Sequence, residues 1–97
     1  MKSKFEDELI GNVNNLKIIY EDSIGKLKDE DADQAFIDAS SFCDLLIKEI
    51  KRGNKEKIKI IYDDLIHYHR DSVPLLHEAV VACNKLVTNY KKLIKNF

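Results

Sequence analysis

The sequence predicts an all-α protein, an antiparallel up-down four-helix bundle that forms one domain over residues 1–97. Apolar residues recur at steps of three and four, which is the spacing of one helical face. The chain has three glycines and one proline among 97 residues, fewer than a β-rich or loop-rich protein usually carries. The segments between the periodic stretches are short, and short connections place consecutive helices side by side in opposite directions.

The first helix is predicted over about residues 4–28. Ser3 and Glu6 have the capping-box spacing, in which each side chain bonds to a free backbone amide at the start of the helix. An apolar stripe then continues to the last predicted turn. It consists of Phe5, Leu9, Val13, Leu16, Tyr20, Ile24 and Leu27.

The second helix is predicted over about residues 32–52. Asp31 and Gln34 repeat the capping-type spacing, and the acidic stretch 29–33 suits the positive N-terminal end of a helix dipole. Gly53 can adopt the left-handed conformation that ends a helix, and Asn54 can cap the helix that follows. The stripe of this helix consists of Ala32, Ala35, Phe36, Ala39, Phe42, Cys43, Leu46 and Ile50.

The third and fourth helices are predicted over about residues 55–71 and 73–96. Pro74 has no backbone N–H and clashes with the preceding turn, so the third helix should end before it. Asp71 or Ser72 is then the predicted N-cap of the fourth helix. The alternative is a kink at Pro74, which leaves three helices with the last one bent.

Charge is distributed unevenly, and in the predicted bundle it distinguishes the two ends. Residues 1–50 hold six lysines and twelve acidic residues, whereas residues 51–97 hold ten basic and five acidic residues. The two termini and the connection between helices 2 and 3 meet at one end, which is therefore basic. A phosphate or nucleic-acid contact at this end is one functional hypothesis. Its candidate binding residues are Lys51, Arg52, Lys55, Lys57, Lys91 and Lys92.

All three histidines lie in the stretch 65–78, LIHYHRDSVPLLHE, which raises the question of a metal site. His67 and His69 are two residues apart and point about 200° away from each other on a helix, so they cannot share one ion. We expect His69 to face the core and His67 to face solvent.

The acidic stretch 29–33 is not followed by the glycine and the final glutamate of a calcium-binding loop. We therefore expect no metal and no cofactor.

Arg70 and His77 are separated by six residues, a spacing that resembles the Arg-x4–6-His signature of HEPN ribonucleases, which are helical bundles of about this size. The resemblance implies metal-independent RNA cleavage, with His77 as general acid or base and Arg70 holding the phosphate. It covers eight of the 97 residues, and Pro74 between the two departs from a continuous helix. A ribonuclease using Arg70 and His77 is therefore an alternative hypothesis.

Cys43 and Cys83 both fall within apolar stripes and have no flanking base, so the sequence predicts buried thiols instead of a catalytic nucleophile.

The N-terminus lacks the apolar segment of a secretory signal. No apolar run is long enough to cross a bilayer. We therefore expect a reducing, cytoplasmic setting.

The function that the sequence favours is protein–protein interaction without enzymatic activity. Apolar residues remain beside or behind the main stripes, and Ile60 is predicted opposite the apolar face of the third helix. Apolar surface of this kind suggests a homodimer or a protein partner. The other residues of this group are Ile10, Ile18, Ile19, Ile37, Ile47, Ile66, Val80, Val81 and Val87.

In size and predicted architecture the chain resembles the small cytoplasmic four-helix immunity proteins that protect bacteriocin producers. This resemblance rests on fold alone, and it implies a regulatory, inhibitory or immunity-type function through binding to another protein. We therefore expect a protein partner, a second copy of the chain, or both. Nucleic acid is the weaker alternative partner.

Overall fold

The computed structural model describes residues 4–95, and within this range the chain forms four α-helices and no strand. The helices are α1 (Lys4–Ser23), α2 (Glu30–Arg52), α3 (Lys55–Asp71) and α4 (His77–Lys95). Close packing joins α1 to both α2 and α4, and it joins α2 to α3. The bundle measures 43 × 21 × 20 Å. The all-α four-helix bundle that the sequence predicts is confirmed.

The core is formed by the predicted apolar stripes. In α1 the residues Leu9, Val13, Leu16 and Tyr20 are completely buried, and in α2 the ring of Phe36 is completely buried beside them. Burial of apolar side chains is the main favourable term in folding, so these stripes determine how each helix is rotated about its axis. The other fully enclosed side chains include Ala39, Cys43, Leu46, Leu65, Ala79 and Leu86.

The connection between α2 and α3 agrees with the prediction at both ends. Gly53 has a φ of 73°, and its backbone N–H donates to the carbonyl oxygens of Glu49 and Ile50 at the end of α2. A residue without a Cβ adopts this left-handed conformation without steric cost. The side-chain oxygen of Asn54 accepts a hydrogen bond from the backbone N–H of Lys57 at 3.2 Å, which caps α3.

The predicted end of the first helix at residue 28 is wrong, because α1 ends at Ser23. The apolar spacing continues through Ile24 and Leu27, but these side chains are exposed and contribute little to the core. Gly25, with a φ of 85°, turns the chain away from the helix direction. The apolar period alone therefore extends the helix past a glycine that ends it.

The predicted start of the second helix at residue 32 is also wrong, because α2 begins at Glu30. Asp29 is the N-cap, and its carboxylate accepts hydrogen bonds from the backbone N–H groups of Asp31 and Ala32. The Asp33 carboxylate in turn accepts a hydrogen bond from the backbone N–H of Gly25 at 2.7 Å. The acidic stretch thus caps α2 and fixes the preceding connection.

The fourth helix begins at His77, later than the predicted residue 73, and Pro74 separates two helices instead of bending one. Ser72 is the C-cap of α3, where its N–H donates to the Tyr68 carbonyl oxygen, and it does not cap α4. Val73 is buried in the core, so the chain crosses the end of the bundle before α4 starts. The connection spans residues 72–76, and the two helices that it joins are not closely packed on each other.

Two polar pairs lie on opposite flanks of the α1 stripe. The Asn89 side-chain amide of α4 donates a hydrogen bond to the side-chain oxygen of Asn12. The Lys17 ammonium contacts the Asp44 carboxylate of α2 at 2.7 Å. Asn12 and Lys17 are about 140° apart around the helix, so α4 and α2 lie on different sides of α1.

Two predicted features fall outside residues 4–95, namely the cap at Ser3 and the last helical residue Asn96. Among the residues that the structure describes, no helix has both the length and the apolar character needed to cross a membrane.

Candidate protein-binding groove

A groove runs along the bundle between α3 and α4, the two consecutive helices that do not pack closely. Two adjacent cavities of about 210 and 320 Å³ lie along it. We call their lining the α3–α4 groove. The first cavity is lined by Arg70, Leu75, Val80, Cys83 and Val87. The second is lined by Lys55, Glu56, Lys59, Tyr90 and Ile94.

The α4 side of the groove has the residue spacing of a coiled-coil seam. Val80, Val87 and Ile94 are seven residues apart, and Cys83 and Tyr90 fall between them at steps of three and four. This is the a/d pattern with which one helix packs knobs into the holes of another. Ile94 nevertheless has 48% of its surface exposed, because α3 does not cover this side of α4. Cys83 and Tyr90 are buried in the protein's own core, so Val80, Val87 and Ile94 are the seam residues that a further helix could contact.

An aromatic stack closes the middle of the groove. The rings of Tyr62 on α3 and Tyr90 on α4 have centroids 3.5 Å apart and are nearly parallel, at 14°. Burial raises the pKa of Tyr62 to about 12, and burial likewise raises the pKa of Tyr90. Both phenols are therefore neutral at physiological pH. The stack holds α3 and α4 together through large side chains and leaves space above it.

The rim of the groove carries more positive than negative side chains. Lys55, Lys59 and Arg70 line it, and Glu56 is the acidic residue in the lining. A second carboxylate, Asp63, lies near enough to raise the pKa of Tyr90 further.

Lys91 extends the basic rim along α4. It follows Val87 by four residues and Asn84 by seven, and both of these line the groove or its edge. Basic groups therefore flank both ends of the groove, with Arg70 at one end and lysines at the other.

A buried hydrogen bond lies beneath one end of the groove. His69 lines the first cavity, and its Nδ1 is 2.6 Å from the hydroxyl of Tyr20. Burial raises the pKa of Tyr20, so this hydroxyl keeps its proton. Burial, with a smaller contribution from Arg70, lowers the pKa of His69. The imidazole is therefore neutral at physiological pH, and its tautomer sets which of the two groups donates the hydrogen bond.

The two residues of the ribonuclease hypothesis lie on either side of the α3–α4 connection. Arg70 is exposed in the last turn of α3, and His77 is exposed as the first residue of α4. Residues 72–76 between them are not helical. Among residues 4–95, no hydrogen bond joins Arg70 to His77. Arg70 belongs to the groove, and the catalytic pairing of these residues stays a prediction.

The six residues predicted to bind phosphate or nucleic acid are all exposed. Lys51 and Arg52 end α2, and Lys55 and Lys57 begin α3, so these four surround the same connection. Lys91 and Lys92 lie in the last turns of α4. Arg52 donates a hydrogen bond to the Glu49 carboxylate at 3.1 Å. The role of these six residues in binding stays a prediction.

The histidines and cysteines face the directions that the helical period predicts. His69 is buried and His67 is exposed, while Cys43 and Cys83 are both buried free thiols. Burial raises the pKa of both thiols, so neither is a thiolate nucleophile at neutral pH. Within the described part of the chain, no group of three or more histidine, cysteine, aspartate or glutamate side chains is placed to hold a metal ion.

The groove itself is the feature that sequence reasoning missed. Val80 and Val87 are identified from the sequence only as additional apolar residues, and Leu75 falls within the predicted range of the fourth helix, 73–96. In the structure 80% of the Leu75 surface is exposed. The seven-residue spacing of Val80, Val87 and Ile94 is the signal that could have revealed this second face of α4.

Comparison with known proteins gives no functional assignment. No protein-family model, no curated protein and no solved structure matches this chain.

Proposed function

We propose that this protein is a non-enzymatic binding module that acts through protein–protein contact at the α3–α4 groove. A regulatory, inhibitory or immunity-type function in the cytoplasm fits this proposal. The observation that carries it is the apolar groove itself, in which Leu75 and Ile94 are exposed beside the partly buried Val80 and Val87. Apolar side chains gathered in a groove with a charged rim are typical of protein-binding surfaces.

The chemistry of the groove favours binding over catalysis. Its thiol, Cys83, and its nearest imidazole, His69, are both kept neutral by burial. The two tyrosines, Tyr62 and Tyr90, are stacked on each other and neutral. These groups supply shape and apolar contact area, which are the properties that anchor a partner side chain.

Self-association, which the sequence also predicts, is the alternative to a separate protein partner. Other exposed apolar residues lie away from the groove, including Ile18 on α1, Ile37 on α2 and Ile60 on α3. Single exposed apolar residues are ordinary on protein surfaces. The groove is distinguished from them because its apolar residues follow one another along α4 and line two cavities between the same pair of helices.

Site-specific photo-crosslinking in cells of the native host tests the proposal. A photoreactive amino acid at position 94, in the groove, should yield a crosslinked protein product that is identified by mass spectrometry. The matched control places the same group at position 18, because Ile18 is exposed to a similar extent, 47%, on α1, which does not line the groove. Crosslinking from position 18 but not from position 94 would show that the groove is not the binding surface.

The ribonuclease alternative is tested separately. Purified protein is incubated with RNA beside the Arg70→Ala and His77→Ala variants. Cleavage that both substitutions abolish supports the alternative, and absence of cleavage by the unmodified protein removes it. Arg70 is in the groove lining and His77 is not, so the two substitutions also differ in their effect on crosslinking at position 94.

A further inference from the structure

We infer that the occupant of the α3–α4 groove is an amphipathic helix of a partner protein, with apolar residues at heptad spacing and acidic residues on both flanks. This inference rests on the proposed function and specifies the partner. It combines three properties of the groove: the spacing of its apolar residues, its length, and the sign of its rim charges.

The spacing of the α4 residues selects a helix as the occupant. Val80, Val87 and Ile94 recur every seven residues along the groove, whereas Cys83 and Tyr90 between them are buried in the core. An extended strand presents side chains at every second residue and does not match this spacing. A helix that presents its own a and d residues does match it, as when a helix binds between two others.

The length of the groove gives the size of that helix. Val80 and Ile94 are fourteen residues apart on α4, which corresponds to about 21 Å along the axis. A partner helix of about four turns therefore covers the groove from one end to the other. It presents about four apolar residues to the groove, at positions i, i+4, i+7 and i+11.

The rim charges select an acidic partner. Lys59 and Lys91 flank one end of the groove and Arg70 flanks the other, whereas Glu56 and Asp63 are the nearby carboxylates. Complementary charges at the edge of an interface accelerate association and exclude partners of the wrong sign. Glutamate or aspartate side chains on the flanks of the partner helix meet the three basic groups.

The same charges disfavour a second copy of this chain in the groove. A two-fold dimer places each groove against its own image. If the copies are parallel, Lys59 and Lys91 face the same lysines of the other copy. If they are antiparallel, these lysines face Arg70 of the other copy. In both arrangements basic groups face basic groups, which is unfavourable at an interface, and Glu56 is the carboxylate of the lining that partly offsets them.

Binding of two synthetic peptides to the full chain tests the inference. Both are helical 18-residue peptides with leucine at the a and d positions, and they differ only in carrying glutamate or lysine at the flanking positions. Fluorescence anisotropy measures each affinity at low and at high salt. We expect the glutamate peptide to bind about tenfold more tightly at low salt, since each exposed ion pair contributes modestly, and we expect salt to reduce the difference.

Two variants identify the groove as the site of peptide binding. Ile94→Glu should abolish binding of the glutamate peptide, whereas the matched Ile18→Glu, on α1, should leave it unchanged. The double substitution Lys59→Glu and Lys91→Glu should reverse the preference toward the lysine peptide. All four positions are exposed, so circular dichroism should show unchanged helix content.

Several results would overturn the inference. Three concern the peptides: equal affinity for the two peptides, tighter binding of the lysine peptide, and absence of binding by either. Another is a dimer in sedimentation experiments that Ile94→Glu dissociates, which assigns the groove to a second copy. A protein crosslinked at position 94 that lacks an acidic amphipathic helix contradicts this inference alone. Absence of any crosslink at position 94 contradicts the proposed function.

Discussion

Tyr20 and His69 form a buried polar contact that includes a titratable imidazole. The pair joins α1 to α3 across the interior, where Nδ1 of the imidazole is hydrogen-bonded to the tyrosine hydroxyl group. Protonation of His69 would leave a charge in an apolar environment. This cost of burying the charged form lowers the pKa of His69.

We predict that the free energy of unfolding decreases as pH falls below about 6.5. The folded-state pKa of His69 lies below the ordinary value of 6.5, so below that pH the unfolded chain binds a proton that the folded chain does not. The decrease is at most about 1.4 kcal/mol per pH unit, and it ends below the folded-state pKa. Urea unfolding between pH 5 and pH 8 measures it.

The control for this prediction is His69→Gln, whose side chain does not titrate. Carboxylates also change protonation at low pH, so the difference between the two proteins isolates the effect of His69. His67→Gln, at an exposed position of the same helix, should retain the pH dependence. If His69→Gln retains it as well, the assignment to the buried histidine is wrong.

Glu49 is a second residue whose placement affects stability. Only 5% of its surface is exposed, and its Oε1 accepts a hydrogen bond from Arg52 at 3.1 Å. Its Oε2 has no hydrogen-bond partner among the described residues. A buried carboxylate with one unsatisfied oxygen is costly, and apolar replacement of such groups is often stabilising.

We predict that Glu49→Met raises the free energy of unfolding by about 1 kcal/mol, because it removes the unsatisfied oxygen and fills a similar volume. Arg52 is mostly exposed, so loss of its partner should cost little. Chemical denaturation at neutral pH is the measurement. Glu8→Met removes an equal charge from an exposed position on α1 and should change stability far less. Destabilisation by Glu49→Met would indicate that Oε2 is bonded in solution.

At the scale of the elements, the ends of the helices depend on a few backbone positions. Gly53 is in the left-handed region at the end of α2, whereas Gly11 is exposed in the middle of α1. A Cβ added at either position meets no atom within 4 Å, so space does not distinguish them. The backbone conformation does, since an L-residue is strained at a φ of 73° but not in a helix.

We therefore predict opposite effects for the same substitution at these two glycines. Gly53→Ala should lower the free energy of unfolding by about 1 kcal/mol, and Gly11→Ala should raise it by about 0.5–1 kcal/mol. Each adds one methyl group and restricts the unfolded chain similarly, so each serves as the control for the other. Thermal unfolding of both variants measures the effect. A shift of the same sign in both would contradict the prediction.

The sequence predicts the helices better than it predicts how their ends are formed. The observed bounds of α3 and the end of α2 agree with prediction, because Gly53 and Asn54 are local signals. The predicted starts of α2 and α4 are wrong because several residues that can cap a helix stand close together, and tertiary packing decides which of them does so. Burial of Val73, for instance, depends on helices that are distant in the sequence.

The candidate groove could be predicted only in part for a similar reason. The period places His69 on the buried face, but its partner Tyr20 is 49 residues away in the sequence. The extra apolar residues on α4 are visible in the sequence, yet whether α3 covers them depends on the packing of the whole bundle. A pattern of spacing identifies a face of a helix, whereas the neighbour of that face is a property of the fold.

At the scale of the whole molecule, the four helices are not equivalent. α1 packs closely on both α2 and α4, and α2 packs closely on both α1 and α3. In contrast, α3 and α4 each have one close neighbour and are joined to each other through Tyr62 and Tyr90. Elements with fewer packed contacts open at lower free-energy cost than the rest of a domain.

We predict that amide hydrogen exchange is slowest in α1 and α2 and faster in α3 and α4. Mass spectrometry of peptic fragments under native conditions measures the difference. Binding of the glutamate-flanked peptide should slow exchange in α3 and α4 and leave α1 and α2 unchanged. Uniform protection of all four helices would show instead that the bundle opens only as one cooperative unit.

The hydrogen bond between Asn12 and Asn89 bears on the handedness of the bundle. Four apolar stripes can wind clockwise or anticlockwise around a common core, and both windings bury the same residues. Asn12 and Lys17 lie on opposite flanks of α1, so the reversed winding would exchange the neighbours of these two side chains. Asn12 would then face α2 and Lys17 would face α4, and neither would meet its observed partner. Two modest polar contacts thus favour the observed winding over its mirror image.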